Sequence, residues 1–166
     1  MTYTGRGDKG RTDLYSGERV SKASETIRAC GTVDELESLI GVCQAHCDKD
    51  LSELQNELHI LTAELADRNP DKRITEENTE RVEELCDHYQ KEIPPLRSFV
   101  LSGGCVAASH LDHARSVARR MERRVVEMEP ESEEVLAYVN RVSDLLFLMA
   151  RHENHVEGVD EDNSDY

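Results

Sequence analysis

Apolar residues recur at helical spacing through most of this chain. Leu51, Leu54, Leu58, Leu61 and Leu65 follow one another in steps of three, four, three and four. That is the seam of a helix packed in a bundle. Val33, Leu36, Ile40, Cys43 and Cys47 share one face of an earlier stretch, which predicts a helix over 24–47. Asp48 to Asp50 make a turn, the leucine seam predicts a helix over 51–68, and Asn69–Pro70 ends it. Thr75 begins a third helix, with Glu77 and Asn78 in its first turn, that lasts to Gln90, and Ile93-Pro94-Pro95 breaks the chain. Phe99 to Gly104 read as a short extended segment. A fourth helix runs to Met128 and stops at Glu129–Pro130, and a fifth covers Glu133 to His155. No internal repeat is present. Five helices with short joins predict an all-α fold, a five-helix antiparallel bundle.

Composition fits this pattern. Of 166 residues, 33% are charged and only 4% aromatic, as expected of a helical chain rich in Leu, Glu, Ala and Arg. The length suits one domain, taken as 1–155, followed by an acidic tail over 156–166 that is expected to be disordered. No apolar run reaches membrane-spanning length, and the N-terminus lacks the apolar core of a secretory signal. The five cysteines are odd in number and form no C-x-x-C pair. They read as free thiols in a reducing cytoplasm. A formal net charge of −15 argues against nucleic acid and anionic membranes as partners. It also suits a protein built for high salt.

Against that acidity one cluster stands out. Five of the 20 Lys and Arg residues lie between Arg115 and Arg124, just beyond Gly103–Gly104. A cation cluster in an acidic chain marks a site for a polyanion. At 100° per residue, the apolar arc of the fourth helix holds Ala107, Leu111, Ala114, Val117, Ala118, Met121 and Val125. Arg115, Arg119 and Glu122 run along one flank of this arc, and Arg120 and Arg124 along the other. Snorkelling arginines with helical Glu partners produce the same pattern. On the fifth helix the apolar face is Val135, Tyr138, Val139, Val142, Leu145, Leu146 and Met149. Asn140, Asp144, Phe147 and Arg151 fall opposite. A Phe among polar groups there suggests contact with a ligand or another subunit, although a single exposed Phe is common.

The segment TGRGDKGRT, Thr4 to Thr12, lets glycine backbone amides approach a phosphate while Lys9 adds charge. It is not a Walker A motif, since the GKS or GKT ending is missing. The pairs His110/His113 and His152/His155, and His46 beside Cys47, offer no four-ligand zinc set. No metal ligand set is assigned.

Four blocks, in order, resemble the PduO-type ATP:cob(I)alamin adenosyltransferase (corrinoid adenosyltransferase) family. They are YTGRGDKGRTDLYSGERVSK at 3–22, GTVDEL at 31–36, FVLSGG with ARSVARRMERRVV across 99–126, and YVNRVSDLLFLMAR at 138–151. The resemblance implies a homotrimer with ATP and cobalamin bound between subunits. It implies transfer of the 5′-deoxyadenosyl group of ATP to the cobalt of cob(I)alamin, with release of triphosphate and with Mg2+ assisting. A cobalamin reductase or a cobalamin-dependent acceptor enzyme would be its protein partners.

By the same resemblance, Thr4, Gly5, Arg6, Gly7, Thr12, Asp13 and Lys22 belong to the loop that wraps the triphosphate. Arg119, Arg120, Arg123, Arg124 and Asn140 match ATP-contacting positions, and Glu122 would orient Arg119 or the ribose. Asp34 and Arg115 match a pair joining neighbouring subunits. Phe99 matches an aromatic that occupies the lower face of the corrin and excludes the axial ligand, so that cobalt is easier to reduce. Three positions depart from the family pattern. Arg6 stands where Thr is usual and would add a phosphate contact. Ser102 stands where Pro is usual, which would loosen the Phe99 segment. Asp112 stands where His is common and reads as a solvated residue. Two other readings remain: a non-catalytic nucleotide or corrinoid-binding regulator on the same fold, and a purely structural bundle.

Overall fold

A computed structural model describes residues 3–14, 16–66 and 72–162. Tyr15, the expected helix end at Arg68, the Asn69–Pro70 stop and the tail past Asp162 lie outside the described residues. Five helices form where the apolar spacing places them: α1 Glu25–Gln44, α2 Ser52–Leu65, α3 Glu76–Glu92, α4 Val106–Glu127 and α5 Glu133–Val156. Local chemistry sets several ends. Thr75 and Asn78 form a reciprocal capping box at the start of α3. The Ser132 hydroxyl accepts the Val135 N–H at 3.1 Å to start α5. Beyond α4, Glu129 turns the chain at a φ of 49° before Pro130.

The N-terminal loop corrects the expectation of purely helical structure. Arg11–Asp13 (β1) and Arg19–Ser21 (β2) form a small antiparallel hairpin, pairing Thr12 with Val20. A sheet this short is marginal without further support.

Successive helices alternate in direction. Gln55 on α2 donates to the Glu37 carbonyl on α1, and the Cys30 thiol reaches the Thr62 carbonyl, so these two helices run antiparallel. Arg120 meets Glu35 while His110 stacks on His46, which sets α4 antiparallel to α1. Arg141 pairs with Glu83 and His152 with Glu92, so α5 runs parallel to its neighbour α3.

Both predicted faces on α4 and α5 are buried in one core with Val33, Leu36, Ile40, Leu58 and Leu61. Burying each such side chain contributes about 1.5–3 kcal/mol. One polar network crosses this core. The Glu57 carboxylate, 4% exposed as a residue, accepts from Arg81 Nε at 2.8 Å, Asn78 Nδ2 at 2.9 Å and the buried Tyr138 hydroxyl at 2.9 Å. It joins α2, α3 and α5. Burial, reinforced by the Glu57 charge and hydrogen bond, holds the Tyr138 phenol well above its usual range.

Beyond α5 the chain folds back on the bundle as far as Asp162. The Val159 N–H donates to the Asn154 carbonyl, and the Leu101 N–H donates to the Asp162 carbonyl at 2.8 Å. Glu161 makes an ion pair with Arg151 at 2.9 Å.

Candidate active site

The arginine stripe on α4 is braced against α5. Arg119 Nη1 donates to Glu122 Oε2 at 3.1 Å and to Asn140 Oδ1 at 3.4 Å, and Nη2 donates to Asp144 Oδ1 at 3.2 Å. Asn140 and Asp144 thus lie beside Arg119. The Arg119 side chain is 44% exposed, so an anion can reach it by displacing Asp144 or Glu122.

Arg120 and Arg124 do not share this face. Arg120 turns to α1 and meets Glu35 at 2.5 Å, Arg124 meets Glu127 at 2.6 Å, and Arg123 is exposed. Side chains one residue apart diverge by 100° on a helix. Within one chain the set expected to contact one ATP therefore divides between two faces.

One turn before Arg119, Arg115 begins a second cluster. Its Nε donates to Asp112 Oδ1 at 3.0 Å and its Nη2 to Ser102 Oγ at 3.1 Å. The second Asp112 oxygen accepts the Gly103 N–H at 3.0 Å. Asp112 was expected to be solvated, but its side chain is only 12% exposed. Asp34 is exposed on α1. Among the described residues no ion pair joins it to Arg115, so their proposed pairing requires a second chain.

Phe99 is 77% exposed and lines a cleft of about 290 Å3 with Leu96, Arg115, Phe147, Arg151 and Glu161. Arg151 was expected on an outer face with Phe147. It is instead buried, because the Pro94 segment and the tail cover it: it donates to the Pro94 carbonyl at 3.1 Å and grips Glu161 with Nε and Nη2. The Arg115 and Arg151 guanidinium carbons each lie 5.9 Å from the centre of the Phe147 ring, within cation–π range.

Asn154 was not anticipated as a site residue. It is 5% exposed, donates from Nδ2 to the Gly103 carbonyl at 2.9 Å, and accepts the Cys105 N–H at 2.9 Å. The signal for it was the Gly103–Gly104 pair. Gly104 has a φ of 106°, and a Cβ there would collide with the Asn154 amide. Neighbouring groups also feel the site's charge: burial, with the Asp144 carboxylate adding, pushes the Cys86 thiol up to about 11.

The hairpin gathers the other predicted residues. Lys22 lies across Gly7, where a Cβ would stand 2.8 Å from Nζ. Thr12 is in β1 and Asp13 ends it. Thr4 Oγ1 lies 3.4 Å from the Arg6 N–H, and the Gly5 carbonyl accepts the Asp8 N–H at 3.2 Å. Asp13 takes Arg6 at 2.9 Å and Arg19 at 2.9 Å, with the Arg6 side chain 70% exposed. Among the described residues no hydrogen bond or ion pair joins the hairpin to Arg119, Glu122 or Asn140. Within one chain, such bonds do not join the two halves of the expected nucleotide site.

The helical bundle thus sets a part-exposed arginine, braced between α4 and α5, on the same helix as the Arg115 that lines the Phe99–Phe147 cleft. The cobalamin adenosyltransferase sequence profile matches residues 2–153, and the chain belongs to that family. It is 39% identical over 166 residues to the corrinoid adenosyltransferase PduO of Citrobacter freundii, covering 92% of this chain and 50% of that protein. It is likewise 39% identical to the corrinoid adenosyltransferase of Bacillus subtilis, covering 95% of this chain and 88% of that one. The chain thus spans about half the length of the PduO relatives it matches. A variant PduO-type ATP:corrinoid adenosyltransferase from Lactobacillus reuteri, complexed with cobalamin and ATP, superposes with a TM-score of 0.93. The two are 31% identical, with 99% of this chain and 97% of that chain covered.

Proposed function

We propose that this chain is a corrinoid adenosyltransferase that moves the 5′-deoxyadenosyl group of ATP to the cobalt of cob(I)alamin. One observation carries the reading: an exposed aromatic, Phe99, and a reachable guanidinium, Arg119, flank Arg115 on the same side of the bundle. The reaction needs both groups. The cobalt(I) lone pair attacks the ribose 5′-carbon, the C–O bond to the triphosphate breaks, and its electron pair leaves on the triphosphate oxygen. Cobalt becomes formally cobalt(III).

Cob(I)alamin is already a strong nucleophile, so the protein contributes mainly alignment and charge stabilisation. Arg119 would face the leaving triphosphate, with Asn140 and Glu122 fixing its plane. Phe99 would cover the lower face of the corrin and deny cobalt its axial ligand. Among the described residues no group of three or more His, Cys, Asp or Glu could hold a metal. A magnesium ion carried on the ATP phosphate oxygens would supply charge neutralisation beside Arg119. The relatives' complex with cobalamin and ATP supports the same substrates here.

The assembly read from the resemblance, a homotrimer, is part of this proposal. The lack of a hydrogen bond or ion pair between the Lys22 hairpin and Arg119 among the described residues supports it, because a neighbour's hairpin would complete the site. Asp34 of one chain would meet Arg115 of the next. The proposed setting is cytoplasmic, with a reductase supplying cobalt(I) and a cobalamin-dependent enzyme taking the product. Among the described residues no helix is long and apolar enough to cross a membrane.

The test is anaerobic. Protein, ATP, magnesium and chemically reduced cob(I)alamin are mixed, and the light-sensitive adenosylcobalamin spectrum should appear with one triphosphate per turnover. Binding of both substrates without product would favour the regulator reading and overturn this one.

A further inference from the structure

We infer that Asp112 is a positioning residue for Phe99, and that together with Ser102 it replaces the rigidity a proline would give this segment. The inference rests on the proposed role of Phe99 in corrinoid adenosylation. The Phe99 ring is 77% exposed, so contacts of its own do little to fix it. Its position depends on how the following backbone is held.

That backbone is anchored at successive residues. The Leu101 N–H binds the Asp162 carbonyl at 2.8 Å. The Gly103 N–H binds Asp112 Oδ2 at 3.0 Å, the Gly103 carbonyl accepts from Asn154, and the Cys105 N–H donates to Asn154. Ser102 Oγ receives Arg115 Nη2 at 3.1 Å, while Arg115 Nε is held by Asp112 Oδ1 at 3.0 Å. Three hydrogen bonds thus join Asp112, Arg115, Ser102 and Gly103 in a ring closed by the Ser102–Gly103 peptide link, two of them ending on the same carboxylate.

A proline at position 102 would fix φ near −65°, whereas Ser102 leaves that torsion free. An aspartate at 112 compensates by accepting from the next backbone amide and by steering Arg115 onto the serine hydroxyl. Charge-assisted bonds of this kind are about twice as strong as neutral ones. The carboxylate offers one oxygen to each donor, which a histidine at the same position could not do. Ser102 therefore does not leave the segment loose, provided Asp112 is present.

The test compares the unmodified protein with Asp112→Ala and Asp112→Asn. Cob(II)alamin is bound in the presence of ATP, and its cobalt EPR spectrum is recorded. Nitrogen splitting of the cobalt lines reports a lower base still attached. Asp112→Ala should raise that base-attached fraction and cut turnover from cob(II)alamin plus reductant about tenfold, with turnover from pre-reduced cob(I)alamin changed less than about twofold. Asp112→Asn, whose amide oxygen still accepts from Gly103, should recover most of the EPR signature. Independently of catalysis, Asp112→Ala should speed amide hydrogen exchange across residues 99–104 by at least about tenfold.

Unchanged exchange overturns the proposal. So does loss of both activities in parallel with the melting temperature, or an Asp112→Asn spectrum as altered as that of Asp112→Ala. If the unmodified protein makes no adenosylcobalamin from pre-reduced cob(I)alamin, the functional reading fails instead. The exchange comparison still decides whether Asp112 holds the segment.

Discussion

The Asn154 side chain occupies the space that a Cβ on Gly104 would need. From there its amide binds the Gly103 carbonyl and the Cys105 N–H, tying the start of α4 to the end of α5. Gly104→Ala should therefore destabilise the protein. A non-glycine residue at a φ of 106° costs about 1–3 kcal/mol, and displacement of Asn154 adds to it. Urea denaturation should show a clear drop in midpoint, and an unchanged midpoint would mean that Asn154 moves aside freely.

Arg119→Ala should preserve the helical circular-dichroism spectrum and lower turnover about 100- to 1000-fold, the usual effect of losing one preorganised donor to a developing negative charge. Arg119 is part-exposed and joins α4 to α5 through Asn140 and Asp144, so its removal opens no core cavity. Retained turnover, measured with cob(I)alamin and saturating ATP, would exclude a role facing the triphosphate.

Glu57→Ala tests the polar crossing of the core. It strips the partner from Arg81, Asn78 and the buried Tyr138 hydroxyl. Breaking a buried charge network from one side costs about 3–5 kcal/mol. Equilibrium denaturation should detect this, whereas a loss below about 1 kcal/mol would show that water replaces the carboxylate.

Alkaline pH should weaken the fold. Burial, with Cys47 contributing, pushes the Cys43 thiol up to about 12. The Cys86 thiol and Tyr138 phenol are also raised. Below the ordinary thiol range both folded and unfolded chains keep these protons, so the groups contribute no pH dependence. Above it the unfolded chain releases protons that the folded chain retains, and stability falls as pH rises. The slope reaches about 1.4 kcal/mol per pH unit for each such group. Urea midpoints at pH 8, 9 and 10 should decline progressively, with a shallower decline in Cys43→Ala. Constant midpoints over that range would contradict the burial of these groups.

The five helices and their buried faces were legible in the sequence because periodicity alone encodes them. Leu58, Leu61, Met121 and Leu146 are fully buried where their spacing placed them. The arginine stripe beside the core was legible for the same reason: helical geometry fixes which side chains share a flank. Pairing across the chain was not. Whether Arg6 meets a phosphate or Asp13, whether Asp112 faces water or Gly103, and whether Arg151 is outside or gripped by Glu161 depend on how the loop, the helix entry and the tail turn back over seven to ten residues. Hydrogen bonds and ion pairs are short-ranged and directional, so no local pattern announces them. The hairpin was missed because strands of three residues are too short to show an alternation. The sequence by itself determined the helices, the core faces and the cluster of cations. The tertiary structure decided which cations remain reachable and what holds the Phe99 segment, because only folding brings Ser102, Asp112, Asn154 and Asp162 within bonding distance of one another's neighbours.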